Sequence, residues 1–193
     1  MNNFFKRLAA FVIDLLFISL LCNAFSLFTI DSRTVQALNK ELTTVYESYE
    51  KQEIDDKTFV NQSSDIAYDM LRASGLYYVI SIGLYVLYFG WYQCRKRGQT
   101  IGKKIMHIKV KGKDRELMVN DYVFRALLIN GILFDFIIVL LLFFGSKGLF
   151  MSLYTIIKIL EFIIIGICGT MVIVRKDNRG LHDLIGHSEV VNE

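Results

Sequence analysis

Four charged side chains lie inside the most apolar stretches of the sequence. Asp14, Asp135, Lys158 and Glu161 each interrupt an apolar run that is long enough to cross the ~30 Å hydrocarbon core of a bilayer. Ionisable groups are rare at such positions because burying a charge is costly, and those that occur pair with another charge or serve an ion or proton pathway. These four residues are therefore the first candidates for chemistry.

Asp14 is the member of this set without an obvious partner. Lys158 and Glu161 are three residues apart, so they could pair on one helix, and Asp135 could join them across a helical hairpin. Arg7 precedes Asp14 by about 10.5 Å along a helix axis, and its side chain leans away toward the membrane surface. Asp14 must accept from a donor on another segment, be hydrated, or be protonated.

The chemistry of these charges leaves several functions open. Intramembrane carboxylates can relay cations or protons, and they can equally clasp helices together. A pair of aspartates can also form a protease dyad, but Asp14 and Asp135 are expected at different depths, which disfavours it. No nucleophile or cofactor-binding loop accompanies them, so an enzyme is not expected.

A second polar group lies near the end of the chain. His182, Asp183 and His187 resemble metal ligands, but a five-residue histidine spacing does not place both rings on one helix face, and no third strong ligand is nearby. The tail is instead expected to dock on the helices. Asp183 is then available to accept hydrogen bonds from the arginines Arg7, Arg125 or Arg179.

No cofactor site is predicted elsewhere. RKRGQTIGKK fails as a phosphate-binding loop because Gly98 and Gly102 enclose three residues rather than four, and no Ser or Thr follows the lysine. Cys22, Cys94 and Cys168 have neither a metal-ligand spacing nor a disulfide pattern, so they are interpreted as packing residues.

Long apolar helices would carry most of these residues. The chain has 193 residues, of which 53% are hydrophobic and none is proline, and its mean hydropathy is +0.40. The runs are apolar on all sides, unlike soluble helices. An all-α integral membrane protein with one domain over residues 1–193 is predicted, and its first run is too long for a signal peptide. The four transmembrane helices are expected at about 5–30, 75–94, 122–144 and 149–174.

Charge is distributed unevenly between the two long loops. Residues 31–72 contain nine acidic and five basic side chains, whereas residues 95–125 contain ten basic and three acidic ones. Basic short loops stay in the cytoplasm. The inner loop 95–121, the N-terminus and the inner tail 175–193 are therefore expected inside, and the outer loop 31–74 outside, which favours four crossings over three.

The outer loop has a helical pattern of its own. Val35, Leu38, Leu42, Val45 and Tyr49 recur at steps of three and four residues, which is typical of a helix packed on a partner helix. A second apolar series follows after an acidic turn. The loop is predicted to form an extracytoplasmic α-hairpin, which acts either as a spacer or as a surface for a partner.

The inner loop is predicted to form a small β-hairpin on the cytoplasmic surface. Its segment KIMHIKVKGKDRELMV alternates apolar and polar residues around a KGKD turn. Its basic residues would lie near anionic lipid headgroups, each contributing about 1 kcal/mol. Nucleic acid is not expected as a partner, because no aromatic platform accompanies the charges.

Four blocks of the sequence resemble a known family. KRLAAFVID, GQTIGKKIMHIKV, VFRALLIN and RGLHDLIGHSEVV, in this order across nearly the whole chain, resemble the RDD family of bacterial membrane proteins. The arginine and two aspartates of the family's name match Arg7, Asp14 and Asp183. The resemblance implies a bacterial plasma-membrane location and transport of unknown ligands, and some members are reported as sodium/proton antiporters. A homodimer is expected, since four short helices alone make a small transporter.

Taken together, the residues and the resemblance predict a transporter of cations or small solutes, coupled to protons. Asp14 is expected to titrate, Arg7 to tune it electrostatically, and Asp183 to help close the cytoplasmic side. The alternative is a non-catalytic membrane scaffold or accessory subunit that binds a partner through the outer hairpin. Further polar sites, with roles in transport or in structure, are Arg125, Asp135, Lys158, Glu161 and His182.

Overall fold

The computed structural model describes residues 3–193 and is mostly helical. A π-helical segment, Leu87–Tyr92, lies within one continuous helix that spans Gly75–Arg95. The elements are α1 Asn3–Thr29, α2 Ser32–Glu50, α3 Asp56–Ala73, α4 Gly75–Val86, α5 Gln93–Arg95, α6 Ile101–Ile105, β1 Ile108–Gly112, α7 Val119–Ile129, α8 Ile132–Phe144, α9 Lys147–Val174, α10 Leu181–Ile185 and β2 Ser188–Asn192.

Three helices of the described chain are long and apolar enough to cross a membrane. They are α1, the continuous helix Gly75–Arg95 and α9. Their outward faces carry exposed apolar side chains such as Leu20 on α1 and Phe162 on α9, and exposed apolar surface of this extent suits contact with lipid.

The predicted third transmembrane helix, 122–144, is not continuous. It is divided into α7 and α8, whose axes differ by 76°, so the chain has a fourth span only if this bent pair crosses as one unit. The break lies at Asn130 and Gly131. Gly131 has φ +69°, a left-handed conformation that glycine adopts without the steric cost of a side chain.

The outer loop forms the expected helical hairpin. Asp31 caps α2 by accepting from the Arg33 and Thr34 N–H groups, and Asp55 caps α3 by accepting from the Thr58 N–H. Helix α2 packs against α3 and has no buried residue. The base of α3 joins the bundle, where the buried Tyr68 packs edge-on against Phe150 of α9.

Four short elements, α6, β1, α10 and β2, form a small layer that we call the cap. Strand β1 pairs in antiparallel register with β2, from Ile108 opposite Asn192 to Gly112 opposite Ser188. The prediction of a β-hairpin within the inner loop is therefore wrong about the second strand: β1 is present, but its partner is β2 in the tail. Instead of turning back, the chain after β1 leads into α7, and the Lys113 N–H donates to the His187 carbonyl oxygen beside the tail strand (3.1 Å).

The cap packs on the first half of α1. Ile108, Val110 and Val190 on the inward side of the sheet form a buried cluster with Ala10 of α1 and Tyr122 of α7. The α1 segment that precedes Asp14 therefore contacts protein and not only lipid. Asp14 marks the boundary between the cap and the apolar bundle.

Candidate functional site

Asp14 lies in a fully buried site with donors from two other segments. Its Oδ1 accepts from the Tyr88 hydroxyl (2.7 Å) and from the Gly102 N–H (2.8 Å). Its Oδ2 accepts from the Thr100 hydroxyl, and the Lys103 Nζ lies 3.7 Å away. The carboxylate, which is 0% exposed, is therefore paired and hydrogen-bonded, as a buried charge must be.

The GQTIG segment supplies most of these donors because it starts a helix. Thr100 is the N-cap of α6, and its hydroxyl accepts from the Lys103 N–H. The first N–H groups of a helix have no partner within it, and they attract a negative charge. Gly102 allows the close approach, since a Cβ at this position would collide with the Ala10 carbonyl oxygen of α1. Asp14 thus fastens α6 of the cap onto α1.

Asp183 lies in a second buried site that joins the other end of the cap to α1 and α7. Its Oδ2 accepts from the Arg7 guanidinium and from the Gly180 N–H (3.0 Å). The Arg125 Nη1 lies 2.7 Å from Oδ1 and donates to the Ser188 hydroxyl (2.9 Å). Burial alone would raise the pKa of Asp183, but the guanidinium groups of Arg125 and Arg7 hold it well below its ordinary value.

His182 is the buried neighbour of this ion pair. Its Nε2 lies 3.3 Å from the Arg7 Nη2, and its Nδ1 has no hydrogen-bond partner among residues 3–193. Burial lowers the pKa of His182 to about 3, and the positive charges of Arg125 and Arg7 lower it against the opposing effect of Asp183. The ring is therefore neutral at pH 7. His187 is exposed, and the described residues contain no group of three metal-ligating side chains.

The buried neutral ring predicts a loss of stability in acid. Below about pH 6.5 the unfolded chain protonates His182, whereas the folded chain does so only near pH 3. The free energy of unfolding therefore falls by up to about 1.4 kcal/mol for each pH unit between these limits. We expect H182Q to flatten this slope between pH 6 and 4, measured by denaturant unfolding in detergent. The exposed-histidine variant H187Q is the control, and a slope in H182Q parallel to that of the wild type would contradict this role.

The charges of α8 and α9 pair as the sequence predicts. The Lys158 Nζ lies 2.9 Å from the Asp135 Oδ1 and 2.8 Å from the Glu161 Oε2. All three side chains are partly exposed in the protein. This third group is separate from the two sites that hold the cap.

A cavity of about 110 Å³ lies beside Asp135 at the break between α7 and α8. Two buried oxygen atoms next to it, Ser81 Oγ and Asn130 Oδ1, have no hydrogen-bond partner in the described part of the chain. The lining residues are Tyr78, Ser81, Ile82, Tyr85, Asn130, Ile132 and Asp135.

The eight polar residues singled out from the sequence thus fall into three groups. The groups are Asp14 alone with new partners, Arg7 with Arg125, His182 and Asp183, and Asp135 with Lys158 and Glu161.

Sequence reasoning missed four residues of these sites, namely Tyr88, Thr100, Ser81 and Asn130. Only Thr100 had a signal in the sequence, in the GQTIG segment at the start of α6.

One protein family matches nearly the whole chain. The model of the RDD family matches residues 1–187. The chain belongs to the RDD family. Searches of curated proteins and of solved structures each found no match. Family membership and the apolar helices together indicate that this RDD protein is a membrane protein.

Arg7, Asp14 and Asp183, which the resemblance predicts to be the three residues of the family's name, have related structural roles in this protein. Arg7 and Asp183 form one ion pair, and Asp14 forms the separate site around α6. Both sites tie the cap to α1. Arg7, Asp14 and Asp183 therefore hold the cap against α1 in this RDD protein.

Proposed function

We propose that this RDD protein carries small monovalent cations across the bilayer in exchange for protons. The observation that carries the proposal is the cavity at the break between α7 and α8, with the oxygen atoms of three side chains beside it. Buried oxygen atoms without a partner are costly, and carboxylate, amide and hydroxyl oxygens are the ligands that hard cations prefer. Ser81 Oγ, Asn130 Oδ1 and the Asp135 carboxylate supply such oxygens at one place.

The broken helix supports the same interpretation. Transporters commonly place ion sites where a membrane helix is discontinuous, because irregular backbone is tolerated there only beside a cavity. The pair α7 and α8 is bent by 76° at Asn130 and Gly131.

The charges on the cap side favour a carrier over an open pore. Asn130 also lines a second, smaller cavity whose wall contains Arg7, Lys103 and Arg125. Three positive charges repel a cation that would pass from the first cavity toward the cap. Transport then requires a change of conformation. With the cap in the cytoplasm, as the charge distribution predicts, the cavity is closed toward the cytoplasm.

This proposal gives Asp135 the role of the working carboxylate, so the cation must replace the Lys158 ammonium, which lies 2.9 Å from the Asp135 Oδ1. The role of Asp14 as the titrating group stays a prediction. Its contacts favour a structural role that holds two segments together, because three donors and Lys103 already surround the carboxylate. The predicted homodimer also stays a prediction, since the cavity lies within one chain.

The experiment is cation-driven proton movement in everted vesicles, followed with a pH-sensitive dye as sodium or potassium is added. We expect D135N to abolish the exchange. We expect S81A to raise the half-saturating cation concentration about tenfold, the effect of losing one ligand to a charge. The S81A variant is the sharper test, because the Ser81 hydroxyl has no partner in the described residues and its removal costs the fold nothing.

Matched controls separate transport from scaffolding. S152A removes an exposed serine of α9 that bonds only to its own helix among the described residues, and D65N removes an exposed aspartate paired with Lys147. Both should exchange cations like the wild type. If folded wild-type protein moves no protons, or if S81A behaves like S152A, the proposal fails. The scaffold alternative then predicts that deleting residues 33–72 abolishes function in cells.

A further inference from the structure

A second cavity lies between the cap and the bundle and is surrounded by positive charge. Its volume is about 50 Å³. Three cationic side chains line it, namely Arg7 of α1, Lys103 of α6 and Arg125 of α7, and the amides of Gln93 and Asn130 complete the polar part of its wall. Ala126, Ile129 and other apolar residues close the remainder.

The buried charges around this cavity do not balance. Arg7, Lys103 and Arg125 are mostly or fully buried, and the carboxylates that pair with them among the described residues are two, Asp14 and Asp183. A buried charge without a counter-charge is strongly destabilising. The positive excess therefore creates a potential that attracts an anion.

The Arg125 guanidinium has more hydrogen-bond donors than its protein partners use. The residue is 6% exposed, so it is more than nine-tenths buried. Its Nη1 is used by Ser188 and Asp183, while its Nε and Nη2 have no hydrogen-bond partner within residues 3–193. The Lys103 ammonium has three donor hydrogens, of which Thr100 takes one at 3.2 Å. Donors that line a cavity without protein partners point to a ligand with acceptor character.

We propose that this cavity binds one small monovalent anion of the size of chloride. A water molecule needs roughly 10–15 Å³ on the same measure, so the cavity has room for a chloride ion with a few waters at most. A phospholipid headgroup does not fit. The ligand would bridge α1, α6 and α7 and compensate the positive excess where the cap meets the bundle.

Binding is expected to depend on pH through Lys103. Burial lowers the pKa of Lys103 to about 8, Asp14 and Asp183 oppose this effect, and Arg125 and Arg7 lower the pKa further. At pH 9 only about a tenth of the chains carry the ammonium. If binding requires it, the apparent affinity for the anion falls about tenfold between pH 7 and pH 9.

The test uses the purified full chain in detergent and chloride-free buffer, with sodium methanesulfonate keeping the ionic strength constant. Chloride is added, and binding is followed by titration calorimetry and by the thermal midpoint. We expect saturable stabilisation by chloride that weakens about tenfold at pH 9. The K103M variant should lose the saturable response, and K113M, which removes an exposed lysine next to β1, should keep it.

A second variant keeps the proposal testable if K103M fails to fold. A126V fills part of the cavity from α7 without removing a charge, and it should also abolish saturable chloride binding. Equal effects of chloride and methanesulfonate on the wild type would overturn the proposal. So would a saturable response that survives in both K103M and A126V. Because binding is measured without a membrane or a gradient, its outcome is independent of the cation-exchange assay.

Discussion

The D183N variant is expected to lose about 3–5 kcal/mol of unfolding free energy, which is the usual cost of removing one partner from a buried ion pair. Asp183 is 0% exposed, and its carboxylate lies against Arg7 and Arg125. Asparagine preserves the shape of the side chain but leaves both guanidinium groups buried without a counter-charge. Because two arginines share this carboxylate, the change also releases α10 and β2 from α1 and α7.

The measurement is denaturant unfolding in detergent together with the abundance of the protein in membranes. D177N is the matched control, because Asp177 pairs with Arg175 at the surface, where an ion pair contributes little. It should behave like the wild type. If D183N and D177N unfold at the same denaturant concentration, the central role of the Asp183 ion pairs is wrong. The pH dependence adds a check: since the folded pKa of Asp183 lies below its ordinary value, its contribution is complete above about pH 4 and is lost only in stronger acid.

The G102A variant is expected to separate α6 from α1. A Cβ on residue 102 would overlap the Ala10 carbonyl oxygen and would lie 3.0 Å from the Asp14 Cγ. Both obstacles are on the buried face of α1, so the cap must move as a unit. Overpacking of this kind costs about 1–3 kcal/mol, and the displaced α6 would also withdraw the Gly102 and Thr100 donors from Asp14.

G166A is the matched control for this change. Gly166 lies in the middle of α9, where a Cβ would meet nothing within 4 Å in the described structure. Alanine there should stabilise the helix by about 0.5–1 kcal/mol. Opposite shifts of the thermal midpoint in the two variants are expected. A G102A variant that is as stable as the wild type would show that α6 does not depend on the close approach to α1.

Local patterns made part of this architecture predictable. The apolar runs located the long helices, and the three-and-four spacing in residues 31–74 located the hairpin α2–α3. The interaction of Lys158 with Glu161 follows from a separation of three residues. In each case the residues that interact are close in sequence or share one periodic face, so a single chain contains the needed information.

Long-range contacts were not predictable in the same way. The Gly102 N–H reaches Asp14 across 88 positions of sequence, and β1 finds its partner in the tail rather than in the adjacent loop. Alternation of apolar and polar residues predicts a strand but not which strand it pairs with. The break at Gly131 had a local signal in the Asn-Gly pair, but a strongly apolar context on both sides favours a continuous helix.

The pairing of β1 with β2 sets an order of events during synthesis. Residues 188–192 leave the ribosome after the long helices of residues 3–174 have been made, so Arg7 and Arg125 have no Asp183 to pair with while those helices assemble. The newly made bundle is therefore incomplete until residues 181–192 arrive. A nascent chain interrupted before residue 181 would contain every long helix of residues 3–180 and still expose the unpaired arginines, a form that cellular proteases can distinguish from the chain with its cap in place.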